Sequence, residues 1–347
     1  MSATATNVMG DETQTRRLRP EDRISDWYLP EKDPVSKGFF FPGRVPVSDH
    51  DHLFEMATVL AERSARLTAD GYEEFVVQEG DRRYRGHVLN TINGRVFALR
   101  RMPATVPLID KLGLPDGIRD MLIHPGLSKR GGLIIVGGET GQGKSTTMAS
   151  VIMARITNLG AFCLTIEDPP EMPLDGVHGK GLCYQTEARI GHFGAALRGA
   201  MRCYPAVNGS MLYVGETRDG ETAAEVLRAA VNGHLVLTTI HANNPTTIVQ
   251  RFMTLAKSVM GSEEEVKNVT AAALRLAMHQ ELEFIPGIRG QPATRRLKIA
   301  FALSTSESSP MAQAIRAPGT NLGDIIAQQE VALRTGGVAR LLGKDWG

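Results

Sequence analysis

Residues 137–147 read GGETGQGKSTT and follow the apolar run Leu133-Ile134-Ile135-Val136. The order is strand, glycine loop, helix start. Gly138, Gly143, Lys144 and Ser145 occupy the fixed places of the phosphate-binding pattern G-x-x-x-x-G-K-[ST]. Glycines let backbone N–H groups curl around a phosphate without side-chain clash. The helix that begins at Lys144 aims its positive end at the same anion. Lys144 is placed to reach the β- and γ-phosphates, and the Ser145 hydroxyl to ligate Mg²⁺. The whole loop, Gly138, Glu139, Thr140, Gly141, Gln142, Gly143, Lys144, Ser145 and Thr146, is the candidate nucleotide-binding segment, with ATP and Mg²⁺ as the expected ligands.

Working outward, the downstream chain alternates apolar runs with helical segments. Strands are expected at Leu133–Val136, Phe162–Ile166, Met211–Val214, Leu235–Ile240 and Lys298–Leu303. Helices are expected over Lys144–Asn158, His192–Cys203, Glu221–Asn232, Pro245–Ser258 and Glu263–Glu281. This alternation predicts an α/β fold with a mostly parallel sheet covered on both faces. Ligands of such sheets sit at the carboxyl ends of the strands. Upstream, residues 1–38 are polar and read as a flexible arm; residues 39–103 read as a small α+β domain with a helix over Asp51–Leu67 and an Asn93-Gly94 hairpin turn. Residues 104–117, with Pro107, Gly113 and Pro115, read as a linker, and 118–347 as the nucleotide-binding domain with a helical C-terminal segment.

The composition of the 347 residues, 42% hydrophobic and 22% charged with a net charge of +1, is that of a soluble globular chain and carries no basic field that would call for nucleic acid. Cys163, Cys183 and Cys203 are too scattered for a disulfide framework or a structural zinc site. The first twenty residues lack an apolar core, so no signal peptide is expected, and no apolar run approaches the roughly 18 residues of a membrane span.

Three further strand ends carry chemistry. Thr165-Ile166-Glu167-Asp168-Pro169-Pro170-Glu171 places acids beside the loop, where they can hold Mg²⁺ or orient a water; Glu167 is the candidate for the water. Leu212-Tyr213-Val214-Gly215-Glu216 closes an apolar strand on an acid, the layout of the second nucleotide motif. The usual aspartate place is Gly215, so Glu216 is left to carry the metal role, and the two carboxylates could exchange tasks. Leu235–Ile240 is bracketed by His234 and His241; only His241 stands at the carboxyl edge, so it is the candidate sensor of the γ-phosphate and His234 a packing residue.

Together these stretches resemble the secretion ATPases that drive type II secretion, type IV pili and type IV secretion. Gly138–Thr147 resembles their phosphate loop, Thr165–Glu171 their aspartate box, and Ala196–Arg202 followed by Leu212–Asp219 their arginine helix and second nucleotide motif, in which Gly-Glu is the family's form. Asn232–Asn243 resembles their histidine box. The resemblance covers about residues 40–285 and implies a RecA-like core preceded by a small PAS-like domain. The four-cysteine insert of pilus-assembly members is lacking. The chain is closer to the short pilus-retraction type and closer still to the DotB and plasmid TraJ proteins of type IV secretion, a leaning that the stretch Gln185-Thr186-Glu187 supports. The segment Met201–Met211 departs from the shorter family loop. The resemblance further implies a homohexamer at the cytoplasmic face of the inner membrane, working with membrane components of a secretion or conjugative system. It places Arg85 and Arg100 of the small domain against a neighbour's nucleotide; on their own they read equally as surface strand residues. A nucleic-acid translocase and a non-hydrolysing nucleotide-gated adaptor are the rival functions; the first lacks a basic, aromatic-bearing pore loop, and the second is opposed by Lys144, Glu167 and Glu216.

Overall fold

The computed structural model describes residues 20–128, 131–188, 192–204, 210–285, 294–317 and 321–342. The chain divides into two compact units, one ending at Met102 and the other beginning at Pro103.

The N-terminal unit is a six-stranded antiparallel sheet with one helix against it. Its strands are β1 (Asp26–Pro30), β2 (Phe39–Phe41), β3 (Val45–Pro46), β4 (Glu74–Glu79), β5 (Arg82–Thr91) and β6 (Gly94–Arg101), in the spatial order β3-β2-β1-β6-β5-β4. Helix α1 (Phe54–Leu67) buries Ala57, Leu60, Ala61 and Ser64. The β5–β6 turn falls at Asn93-Gly94, where Gly94 has φ 110, a conformation open to glycine. The expected polar arm over 1–38 does not hold for its described part. Asp26–Pro30 is a central strand, paired with β2 on one side and β6 on the other, and Trp27 and Leu29 are fully buried. The strand was hidden because only two of its five residues face inward, between acidic and proline-containing neighbours. Burial of an indole is worth several kcal/mol, so this strand is part of what folds the unit. The rest of that arm, 1–19, lies outside the described residues.

The second unit holds an eight-stranded sheet in the order β14-β13-β7-β12-β11-β8-β10-β9. The strands are β7 (Gly132–Gly137), β8 (Phe162–Glu167), β9 (Gly176–His178), β10 (Gly181–Glu187), β11 (Ser210–Val214), β12 (Leu235–Ile240), β13 (Leu274–Ile285) and β14 (Thr294–Leu303). From β13 through β10 every neighbouring pair is parallel; the edge strands β14 and β9 are antiparallel. The helices are α2 (Asp116–Ile123), α3 (Lys144–Leu159), α4 (Phe193–Ala200), α5 (Gly220–Val231), α6 (Pro245–Met260), α7 (Glu263–Ala273), α8 (Pro310–Arg316) and α9 (Leu322–Leu342). β7 and β12 are buried at every position, as a strand covered on both faces must be. One core lies between the sheet and α2 and α3, the other between the sheet and α5, α6, α7 and α8. This is the RecA-like arrangement of a parallel sheet with the phosphate loop near its centre.

Two sequence expectations change here. The helix predicted over Glu263–Glu281 stops at Ala273, and Leu274–Ile285 continues as β13 beside β7. The Ala-rich stretch has helical propensity, but pairing with the central strand overrides it. Within 104–117, Ile109 and Leu114 are buried in the core against α2 and α3, so much of that stretch is part of the second unit. Among the described residues no helix is long and apolar enough to cross a membrane.

Candidate active site

β7 delivers the chain to the loop and α3 carries it away. Two glycines are fixed by geometry. Gly138 has φ 153, and a Cβ there would meet the Gln280 carbonyl at 2.5 Å; Gly143, the residue before α3, is left-handed at φ 79. Lys144, only 8% exposed, donates from its ammonium to the carbonyls of Gly138 and Glu139, each at 2.8 Å, and so stands inside the loop. Burial pushes its pKa below the ordinary value, while the carboxylates of Glu216 and Glu171 pull it back up. Loop lysine and second-motif acid therefore share one electrostatic environment.

Sequence reading missed the brace behind this loop. Gln280, 2% exposed on β13, accepts from the Thr147 hydroxyl at 2.8 Å and donates to the Gln142 carbonyl at 2.6 Å. Two residues on, the Leu282 amide donates to Gln142 Oε1 at 2.6 Å. Only the parallel register of β13 with β7 brings 280 to 142; the available signal was a lone glutamine closing an apolar run. The phenol of Tyr213 on β11 is buried, with Ser145 among the groups around it. Burial first, then Glu167 and Glu171, keep that phenol protonated.

Glu167 ends β8 and is 4% exposed. Burial raises its pKa to about 6; the amide of Gln185 on β10, donating to Oε1 at 2.9 Å, opposes that rise. On the neighbouring strand end, a Cβ at Gly215 would lie 3.4 Å from Glu167 Cγ. A side chain there would pack in van der Waals contact with Glu167. Glu216 is held differently. Arg218 donates to its Oε2 from Nε at 2.9 Å and Nη2 at 2.8 Å, and His241 Nε2 lies 3.3 Å from its Oε1. The Thr239 hydroxyl donates to the Gly215 carbonyl at 2.7 Å, tying the end of β12 to the end of β11. Lys144, Glu167, Glu216 and His241 thus stand at the carboxyl ends of adjacent parallel strands. His234 stands at the opposite end of β12, with Ser210 Oγ 2.7 Å from Nδ1 and its ring 4.5 Å from that of Tyr204. The divergent loop between α4 and β11 falls at 205–209, outside the described residues.

Arg85 and Arg100 belong to the N-terminal unit. They are direct cross-strand partners on β5 and β6, on the face away from buried Tyr84, Phe97 and Leu99. Like charges placed opposite one another repel. Each is drawn aside by an acid, Arg85 Nη2 to Glu74 at 3.1 Å and Arg100 Nε to Asp26 at 2.9 Å. These ion pairs are exposed and therefore weak and exchangeable.

The site fits MgATP. The loop offers amides and the buried Lys144, and Ser145 with Glu216 would supply the hydroxyl and single carboxylate that magnesium takes alongside phosphate oxygens. Among the described residues no cluster of three or more His, Cys, Asp or Glu side chains offers a self-contained metal cage.

A family model described as "Type II/IV secretion system protein" matches residues 54–298. A protein of Escherichia coli (strain K12), uncharacterised and called YggR, is 34% identical over 228 residues, covering 64% of this chain and 65% of that protein. The type IV pilus ATPase PilU of Pseudomonas aeruginosa is 31% identical over 247 residues, covering 68% of this chain and 61% of that protein. The matches thus span somewhat under two thirds of those relatives' length. Among solved structures, the pilus retraction motor PilT with bound ADP superposes with a TM-score of 0.66 at 27% identity, covering 91% of this chain and 87% of the other. The ATPase DotB of Legionella pneumophila shares the fold, with a TM-score of 0.64 at 20% identity over 92% of this chain and 86% of the other.

Proposed function

The chain belongs to the Type II/IV secretion system protein family, and from that premise we propose that it is a Mg²⁺-dependent ATPase, a homohexameric ring motor that energises a type IV secretion or conjugative transfer system from the cytoplasmic face of the inner membrane. The observation that carries the enzymatic part is the convergence of the Lys144 ammonium with Glu167, Glu216 and His241 at one edge of the parallel sheet.

The roles follow from the surroundings. Loop amides and Lys144 take the β- and γ-phosphates. Ser145 and Glu216 would hold the magnesium, which when bound would neutralise charge on the phosphate oxygens. Glu167, with a pKa of about 6, is ionised at neutral pH yet basic enough to take a proton from an attacking water as the γ-phosphoryl leaves ADP. His241 shares Glu216 with Arg218, so a displacement of that carboxylate reaches the end of β12 through one contact. Arg85 and Arg100, direct partners across β5 and β6 and each in an ion pair open to solvent, are suited to an anion supplied by another copy of the chain.

A second reading, type IV pilus retraction, is favoured by the 31% identity to PilU and the 27% identity and 0.66 TM-score to PilT. Phosphate release from ATP with and without Mg²⁺, together with mass measurement in the presence of MgATP, tests the motor. The expected result is Mg²⁺-dependent hydrolysis by six-chain assemblies; a fully active monomer would overturn the ring. Co-purification with secretion-system rather than pilus components of the inner membrane distinguishes the two systems.

A further inference from the structure

The side-chain amide of Gln185 uses all of its hydrogen-bonding capacity. Nε2 donates to Glu167 Oε1 at 2.9 Å and to the Met172 carbonyl at 2.8 Å. Oε1 accepts from the backbone amides of Leu174 at 2.9 Å and Asp175 at 3.1 Å. Flipping the amide would set its NH₂ against two N–H donors and its oxygen against a carbonyl and a carboxylate, so its orientation is fixed. The backbone closes the arrangement, with the Gln185 amide donating to Asp175 Oδ1 at 2.9 Å. One residue on β10 therefore joins the end of β8 to the turn over 172–175 that follows the Glu167-Asp168-Pro169 corner.

We infer that Gln185 is a positioning residue for hydrolysis, holding the Glu167 carboxylate in the orientation in which it meets the attacking water. The inference rests on the assignment of Glu167 to that water. A glutamate side chain carries substantial rotamer freedom, and catalytic groups misplaced by about 1 Å lose on the order of 10² in rate. The parallel register puts Gln185 beside Thr165, two residues short of Glu167, so the amide reaches along the strand pair to the carboxylate from the side. The turn over 172–175, gripped by the other three bonds, anchors the amide, and a shift of that turn is transmitted to Glu167 without passing through the phosphate loop.

The test is steady-state ATP hydrolysis and ADP affinity of the full chain carrying Gln185→Leu or Gln185→Glu. Leucine removes every bond of the amide. Glutamate retains acceptors for Leu174 and Asp175 and removes the donors to Glu167 and to the Met172 carbonyl, so it remains informative if the leucine variant folds poorly. Both are expected to lower kcat tenfold or more, with KM and ADP affinity within twofold of wild type. In a Glu167→Asp background, read by single turnover, the same changes should cost less than threefold, because the shortened carboxylate no longer meets the amide. Wild-type kcat in either variant, equal loss of kcat and ADP affinity, or an undiminished cost in the Glu167→Asp background would overturn the inference. If instead Glu167→Gln hydrolyses ATP at the wild-type rate, it is the assignment of Glu167 that fails.

Discussion

The ends of β8 and β11 lie side by side, each closes on a glutamate, and the two carboxylates live in opposite conditions. Glu167 is buried, faces a neutral amide and is raised to about 6. Glu216 is paired with the Arg218 guanidinium and touches His241. Neighbouring acids in environments this different take different tasks. A carboxylate raised toward neutrality is matched to moving a proton; one fixed in place by a guanidinium is matched to orienting ligands, such as the water shell of a metal.

The largest expected effect removes what both glutamates act on. Lys144→Ala should leave the fold intact and lower turnover on the order of 10²–10³-fold, as loss of a buried donor to developing charge does. Circular dichroism and phosphate release check it together; near-wild-type hydrolysis would remove the phosphates from this loop. Next, Gln280→Leu strips the brace behind the loop and leaves the half-buried Gln142 carbonyl and the buried Thr147 hydroxyl without the glutamine, at a cost of about 1–3 kcal/mol. It should weaken ADP binding roughly tenfold, by calorimetry, and lower the melting temperature.

A third prediction separates the glutamates by stability. The folded-state pKa of Glu167 lies above its ordinary value of 4.5, so the protonated form is favoured in the fold. Its contribution is fully present below pH 4.5 and is lost as pH rises through about 6. Above that, the buried charge costs at most about 2 kcal/mol. Glu167→Gln should therefore raise the melting temperature at pH 8 relative to wild type and leave it little changed at pH 4.5, while Glu216→Gln should show no such gain. Turnover moves the other way and rises through the same range, since the ionised form takes the proton. The smallest effect belongs to His241→Ala: the histidine is half-exposed and Arg218 still holds Glu216, so stability should change by less than about 1 kcal/mol. A larger loss by chemical denaturation would give His241 a structural share in the β12 end.

Much of the second unit was readable because its signals are local. The glycine spacing of the loop and the apolar runs at β7, β8, β11 and β12 each depend on a few adjacent residues. What stayed hidden depends on register. Gln185 reaches Glu167 from 18 residues away and Gln280 reaches Gln142 from 138 away, and neither stands in a pattern of its own. Leu274–Ile285 carried a helical signal that pairing with β7 overrode, and the short strand around Trp27 showed only two inward residues. The different surroundings of the two glutamates were equally invisible, because burial and partners are properties of the assembled strand ends.

The most direct test of the division of labour is a Mg²⁺ titration of ATP hydrolysis and ATP binding in Glu167→Gln beside Glu216→Gln. The account predicts that Glu167→Gln binds MgATP with near wild-type affinity and loses turnover by on the order of 10²-fold at every Mg²⁺ concentration. It predicts that Glu216→Gln needs markedly more Mg²⁺ for half-maximal activity. The reverse pattern, a Mg²⁺ requirement displaced by Glu167→Gln and a Mg²⁺-independent loss of turnover in Glu216→Gln, would contradict it.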